Sequence, residues 1–256
     1  MCFSAEASFI VSGALSIVSV NAIRKVKNSK DIFIAFIPLI FALQQFTEGL
    51  LWVALENGEM PGAQFWLANL YGIFIGVIWP FYAPLALYQG ETESRTGKVM
   101  ISMIGVGLGL AAYTIIGLIS EPIVAYIVND NIRYGHEVEG QQFVRAMYLF
   151  ATCVPFILAS DRFLNITGIL ITLGFLVAFY AYRETFASVW CFFAAAASAL
   201  IYVYVINQNK KREKLAYSIF KSNLILSALL AVLFILSATR LRVRFDLKME
   251  LELGWI

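Results

Sequence analysis

Histidine is almost absent from this chain: His136 is its one copy, so a multi-histidine zinc site cannot be assembled. Cysteine is scarce too. Cys2, Cys153 and Cys191 are odd in number and far apart, which supplies neither a disulfide framework nor a CxxC metal motif. Charge is thin: 14% of the 256 residues are Asp, Glu, Lys or Arg, against about 25% in ordinary soluble domains. Against that, 60% are hydrophobic and the mean hydropathy is +0.76, a composition that belongs in lipid. The net charge of +2 is small and the basic residues are scattered among apolar stretches, so no nucleic-acid partner is expected. No basic n-region precedes the first apolar stretch, and a signal peptide is not expected. Repeats, low-complexity segments and cofactor-binding motifs are missing as well, and the expected cofactor set is none.

A membrane span needs roughly 20 predominantly apolar residues. Eight segments qualify, at about 6–23, 31–55, 66–88, 99–119, 144–160, 165–182, 186–206 and 217–238. The fifth and sixth are the shortest and are separated only by Asp161 to Leu164, so they can equally be read as a tight helical hairpin. The expected fold is an all-α membrane protein, a bundle of seven to eight transmembrane helices over 1–238 with an amphipathic tail over 239–256.

Short cytoplasmic loops carry the excess of Lys and Arg. Arg24, Lys25, Lys27 and Lys30 follow the first span, and Lys210, Lys211, Arg212 and Lys214 follow the seventh. Both sets come after an odd number of spans, so both belong on the cytoplasmic side of a cell (inner) membrane, with the N-terminus outside. The loop 57–65, with Glu59, and the acidic loop 120–143 fit the outer side. Arg240, Arg242, Arg244 and Lys248 then conflict with the rule. Either the last segment does not span, or the tail is folded and electrostatically matched.

The tail RLRVRFDLKMELEL, 240–253, alternates charged and apolar residues as a half-buried strand does. The loop 120–143 reads as a hairpin: IVAYIV, then Asn129, Asp130 and Asn131 as turn residues, then IRYGHEV. A small external sheet could form from this hairpin and the tail, or the tail could pair with a second copy of itself in a homo-oligomer. Helix faces offer the other route to a homo-oligomer.

The chemistry concentrates in the second span. Gln44 and Glu48 are four apart and Gln45 and Glu48 three apart, so the three share one polar patch, flanked by Phe41 and Trp52. A carboxylate in hydrocarbon costs roughly a few kcal/mol even on lenient scales, so it marks a ligand, ion or proton site, or polar side chains bonding neighbouring helices. The third span adds Trp79, Pro80 and Pro84, whose missing backbone donors invite a kink that could open a cavity. Asn69 and Tyr71 fall nearest the depth of Glu48 and are its expected partners. The ligand set is therefore Gln44, Gln45, Glu48, Trp52, Asn69, Tyr71 and Trp79.

Cys2, with Glu6 nearby, would be a nucleophile if Met1 were removed. The plainer reading is that Ser4 caps the first helix and Glu6 sits in its first turn. Ser188, Cys191 and the alanine run of the seventh span read as close helix packing. Arg183 and Glu184 are expected to pair with each other or with solvent.

Four stretches, MCFSAEAS, QQFTEGLLW, WPFYAP and SVWCFFAA, together resemble an uncharacterised bacterial family of roughly seven-span membrane proteins that open with Met-Cys-Phe-Ser-Ala. The resemblance covers about residues 1–210, and the last segment and tail lie beyond it. It implies a fold class and no activity. Three function classes stay open: transport or conduction of a small ligand, ion or proton through the Glu48 site; a seven-span-like sensor or partner-binding subunit; and an intramembrane enzyme using Cys2, Glu6 or Glu48. The enzyme has least support, because His136 lies far along the chain from every nucleophile.

Overall fold

The computed structural model describes residues 4–58, 60–128, 131–135, 141–215, 217 and 218. The chain divides into two compact units, Met1–Asn207 and Gln208–Ile256. Cys2, His136, the tail and nearly all of the 217–238 segment lie outside the described residues.

Helix α1 (Ala5–Lys25) starts at Ser4, whose hydroxyl accepts the Ala7 amide at 3.3 Å. Its buried residues, Ala5, Ser8, Ser12, Leu15, Ser19 and Ala22, recur at spacings of three and four, so α1 buries one narrow stripe. Ile10 and Ile17 on its other faces are exposed. Small side chains on that stripe let α1 lie close along α2 (Ile32–Asn57). Ser12 donates to the Ala42 carbonyl at 2.8 Å and Ser19 to that of Ala35 at 3.0 Å. In membrane proteins such bonds contribute about 0.6 kcal/mol each on average. Helix α2 ends where Gly58 takes a φ of 65°, a left-handed cap that glycine adopts without strain.

The next apolar stretch is interrupted. Helix α3 (Pro61–Ile73) passes through a π-helical turn, Phe74–Ile78, into α4 (Trp79–Gly90). Pro80 cannot donate a backbone bond, and its ring crowds the carbonyl four residues back. The turn widens to relieve this, and the Trp79 amide bonds to the Phe74 carbonyl, five residues away. Helix α5 (Ser94–Ser120) crosses α4 at Gly107, where a Cβ would stand 1.9 Å from the Pro80 carbonyl oxygen.

Strands β1 (Val124–Val128) and β2 (Asn131–Gly135) pair antiparallel, Val124 opposite Gly135 and Val128 opposite Asn131. The expected hairpin is present. Asn131, expected in the turn, is the first residue of β2.

Helices α6 (Gln141–Thr152) and α7 (Val154–Leu158) break at Cys153, two residues before Pro155. The expected fifth span, 144–160, is thus a shorter, interrupted apolar helix. Asn165 accounts for its end, donating to the carbonyls of Phe156, Ile157 and Ala159. Helices α8 (Arg162–Ala181) and α9 (Phe186–Ser198) follow.

Six helical stretches among the described residues have the length and hydropathy to cross a bilayer: Ala5–Lys25, Ser29–Asn57, Pro61–Gly90, Ser94–Ser120, Arg162–Ala181 and Phe186–Leu215. That is two fewer than the eight expected, because α6 and α7 are short and nearly all of 217–238 lies outside the described residues. The six point to a multi-pass membrane protein. Contacts sort the loops to two ends of the bundle: Ser160 bonds Glu91 at one, and Arg133 faces Glu184 at the other. The hairpin shares its end with the α8–α9 turn.

Candidate functional site

Three neutral donors converge on the Glu48 carboxylate. Gln45 Nε2 donates to Oε2 at 3.0 Å, one helical turn away on α2. Ser188 Oγ, from the first turn of α9, donates to Oε1 at 2.5 Å. The Tyr134 hydroxyl, from β2, reaches Oε1 at 3.4 Å. Gln44, Gln45, Glu48, Tyr71 and Ser188 are all fully buried. No lysine, arginine or histidine among the described residues forms an ion pair with Glu48.

The rest of the expected set divides. Trp79 Nε1 donates to Gln44 Oε1 at 2.6 Å, and its ring stacks on Phe41 at 3.8 Å between centroids. Tyr71 lies beside the carboxylate, its ring stacked on that of Tyr134 at 4.5 Å and 3°. Asn69 is committed elsewhere. Its amide donates to the Ile123 carbonyl at 3.2 Å and the Phe65 carbonyl at 2.7 Å, and its Oδ1 accepts the Ile123 amide at 2.9 Å. Asn69 therefore anchors the strand that leads into the hairpin, and through it the position of Tyr134. Trp52 packs with Ala5, Leu51, Ala68, Ile123 and Ile132 in a smaller core cluster beside the site.

Several buried polar atoms here have no hydrogen-bond partner among the described residues: Gln44 Nε2, Gln45 Oε1, Trp52 Nε1 and Ser8 Oγ. An orphaned buried amide costs about 1–3 kcal/mol, so such groups are kept where something polar comes to meet them.

A cavity of about 610 Å³ opens at the hairpin end, between β2, α6 and the start of α9. Tyr134 and Cys191 line it and also border the Glu48 cluster, Cys191 sitting beside Gln44 and Tyr71. Glu48 lies behind these two side chains. A second cavity of about 530 Å³ adjoins the first and shares Arg145, Phe175, Arg183 and Phe186 with it.

Two residues of the site escaped the sequence reading. Ser188 was expected to serve helix packing and instead bonds the carboxylate; Tyr134 lies in a loop whose fold back onto the bundle no local pattern announces. Arg183 and Glu184 were expected to pair with each other or with solvent. Glu184 faces Arg133 at 4.0 Å, while the Arg183 guanidinium lies 5.8 Å above the Phe179 ring. Glu6 is exposed in the first turn of α1, as capping requires, and Cys2 is outside the described residues. Among the described residues, no three His, Cys, Asp or Glu side chains gather as a metal site would need.

No curated protein matches the chain. Over residues 1–216 it matches the family of unknown function DUF6629, and the chain belongs to that family.

Proposed function

We propose that this multi-pass membrane protein admits a small ligand through the hairpin-end cavity to the Glu48 site and moves that ligand, an ion or a proton across the bilayer. The observation that carries this reading is the carboxylate itself: fully buried, held by three neutral donors, without a cationic partner among the described residues, and one side chain behind a 610 Å³ cavity. A group so placed accepts a proton or a donor-bearing ligand at low reorganisation cost, because its acceptor sites are already oriented. The π-helical turn beside it, at Phe74–Ile78, is a backbone form common at functional sites and gives α3 and α4 a place to bend.

The cavity end faces outward, in a cell (inner) membrane, on the positive-inside rule. Arg24, Lys25, Lys27, Lys30, Arg95 and Lys98 gather in the loops and helix starts at the opposite end. A second reading, a ligand sensor, draws on one feature. Tyr134 joins the carboxylate to the hairpin, so occupancy of the site would be reported at the surface.

The test is proton flux in proteoliposomes with a trapped pH-sensitive dye and a valinomycin-clamped potential. Wild-type protein should dissipate an imposed gradient faster than protein-free vesicles, and Glu48→Gln should not, while keeping its helical spectrum. Equal flux in wild type and Glu48→Gln would sink the transport reading.

A further inference from the structure

The geometry points to the chemical class of the ligand: an anionic amphiphile, with a carboxylate or phosphate head held by Arg145 and Arg183 and an apolar body lying along Trp190 and Tyr148. This rests on the reading of the hairpin-end cavity as a ligand entrance.

Three guanidinium groups from three separate elements line that one cavity: Arg133 from β2, Arg145 from α6 and Arg183 from the turn after α8. The carboxylates in its wall are Glu121 and Glu184, and Glu184 is engaged with Arg133 at 4.0 Å. Arg145 and Arg183 crowd the same aromatic ring, their guanidinium carbons 5.6 Å and 5.8 Å from the centre of Phe179. Arg145 also lies 5.9 Å from the centre of Phe186. Both guanidinium groups line the same cavity, so an anion held there can meet two positive charges. The ring faces attract the guanidinium groups at these distances, and a guanidinium fork is suited to meeting carboxylate or phosphate oxygens. Both arginines also line the adjoining 530 Å³ cavity, so the head has room on either side.

The deeper wall is of a different kind. Tyr148, Trp190 and Cys191 pass from the arginine-lined cavity into a narrow apolar seam that ends at Phe41 and Trp79, the residues packed against Gln44. The seam itself holds only about 30 Å³, so the apolar body of a molecule with one charged end lies in the 610 Å³ cavity, against Tyr148 and Trp190, with the charged end at the arginines. Such molecules arrive from two sources, a lipid headgroup in the bilayer or a free amphiphilic acid in water, and the chemistry of capture is the same.

Full-length protein in phosphatidylcholine nanodiscs, titrated with 10-bromodecanoate, reports the contact through bromine quenching of tryptophan emission. Saturable quenching is expected, weakened about tenfold by Arg145→Gln or Arg183→Gln, the loss of one charged hydrogen-bonding partner. Arg145→Lys, which keeps the charge but loses the planar fork, should bind between wild type and Arg145→Gln, and that intermediate affinity rules out a folding defect. With 10-bromodecanol, or with acetate as competitor, binding should be at least about tenfold weaker, since each lacks one half of the ligand. Adding phosphatidylglycerol to the nanodiscs separates the sources. Competition with bromodecanoate marks a lipid head, and its absence marks a free acid; either result supports the class. Equal quenching by the alcohol, or wild-type affinity in both glutamine variants, would overturn it. The flux assay reads Glu48 and this titration reads the arginines, so each proposal can fail alone.

Discussion

Ser188 Oγ donates to Glu48 Oε1 across 2.5 Å, joining the start of α9 to the middle of α2 over 140 positions of sequence. The bond is buried and one partner is a carboxylate, a combination worth about 1.5–3 kcal/mol. Ser188→Ala should therefore lower stability by that order, read as a fall in the thermal midpoint in detergent. Ser188→Thr, which keeps the hydroxyl, should lose less. An unchanged midpoint in Ser188→Ala would show that the bond does not hold α9 to α2.

Asn69 makes a two-way bond with Ile123, its Oδ1 accepting the amide and its Nδ2 donating to the carbonyl. Asn69→Ala should loosen the lead into the hairpin while the helices stay folded. Hydrogen exchange should rise over 123–135, and Tyr134 should lose its fixed approach to Glu48. If exchange there matches the wild type, Asn69 is not the anchor.

At Gly107, a methyl group would overlap the Pro80 carbonyl, whereas at Gly105, two residues earlier on α5, a Cβ meets nothing within 4 Å. Gly107→Ala must push α4 and α5 apart and should cost about 1–3 kcal/mol. Gly105→Ala should be neutral or stabilising by up to about 1 kcal/mol, since alanine is the better helix former. Unfolding of the two variants side by side tests the close approach of α4 and α5.

Glu91 gives the fold a pH dependence at the end away from the hairpin. Burial works against its charge, but the Ser160 hydroxyl and the amides of Glu93, Ser160 and Thr92 all donate to it and together hold its carboxyl below the ordinary value of 4.5. The folded value lies below the unfolded one, so the stabilisation is complete above about pH 4.5 and is lost as pH falls through the folded value. Glu91→Gln should melt lower than wild type at pH 6, and the gap should narrow as pH falls below 4.5 and through the folded value. A gap that is constant with pH would mean that the charge contributes nothing.

Composition and local spacing determine a good deal here. Apolar runs of sufficient length, interrupted by few charges, point to a multi-pass membrane protein, and most of those runs become the helices expected of them. The Gln44, Gln45 and Glu48 patch is legible because helix geometry alone brings residues three and four apart together. The hairpin is legible because turn residues separate two β-branched stretches. What tertiary structure decided is what meets these groups. Ser188 and Tyr134 reach Glu48 from positions 140 and 86 residues away, and no local period carries that information. Asn69, at a suitable depth for Glu48, is drawn off by the backbone of Ile123, because an unpaired strand lead-in offers both a donor and an acceptor to one amide. The arginines that make the cavity basic come from β2, α6 and the α8–α9 turn, and only the packing of the hairpin against the bundle makes them neighbours. Side chains on one helix face are placed by the covalent chain; partners on separate elements are placed by burial and by the demand that each buried polar atom find a mate.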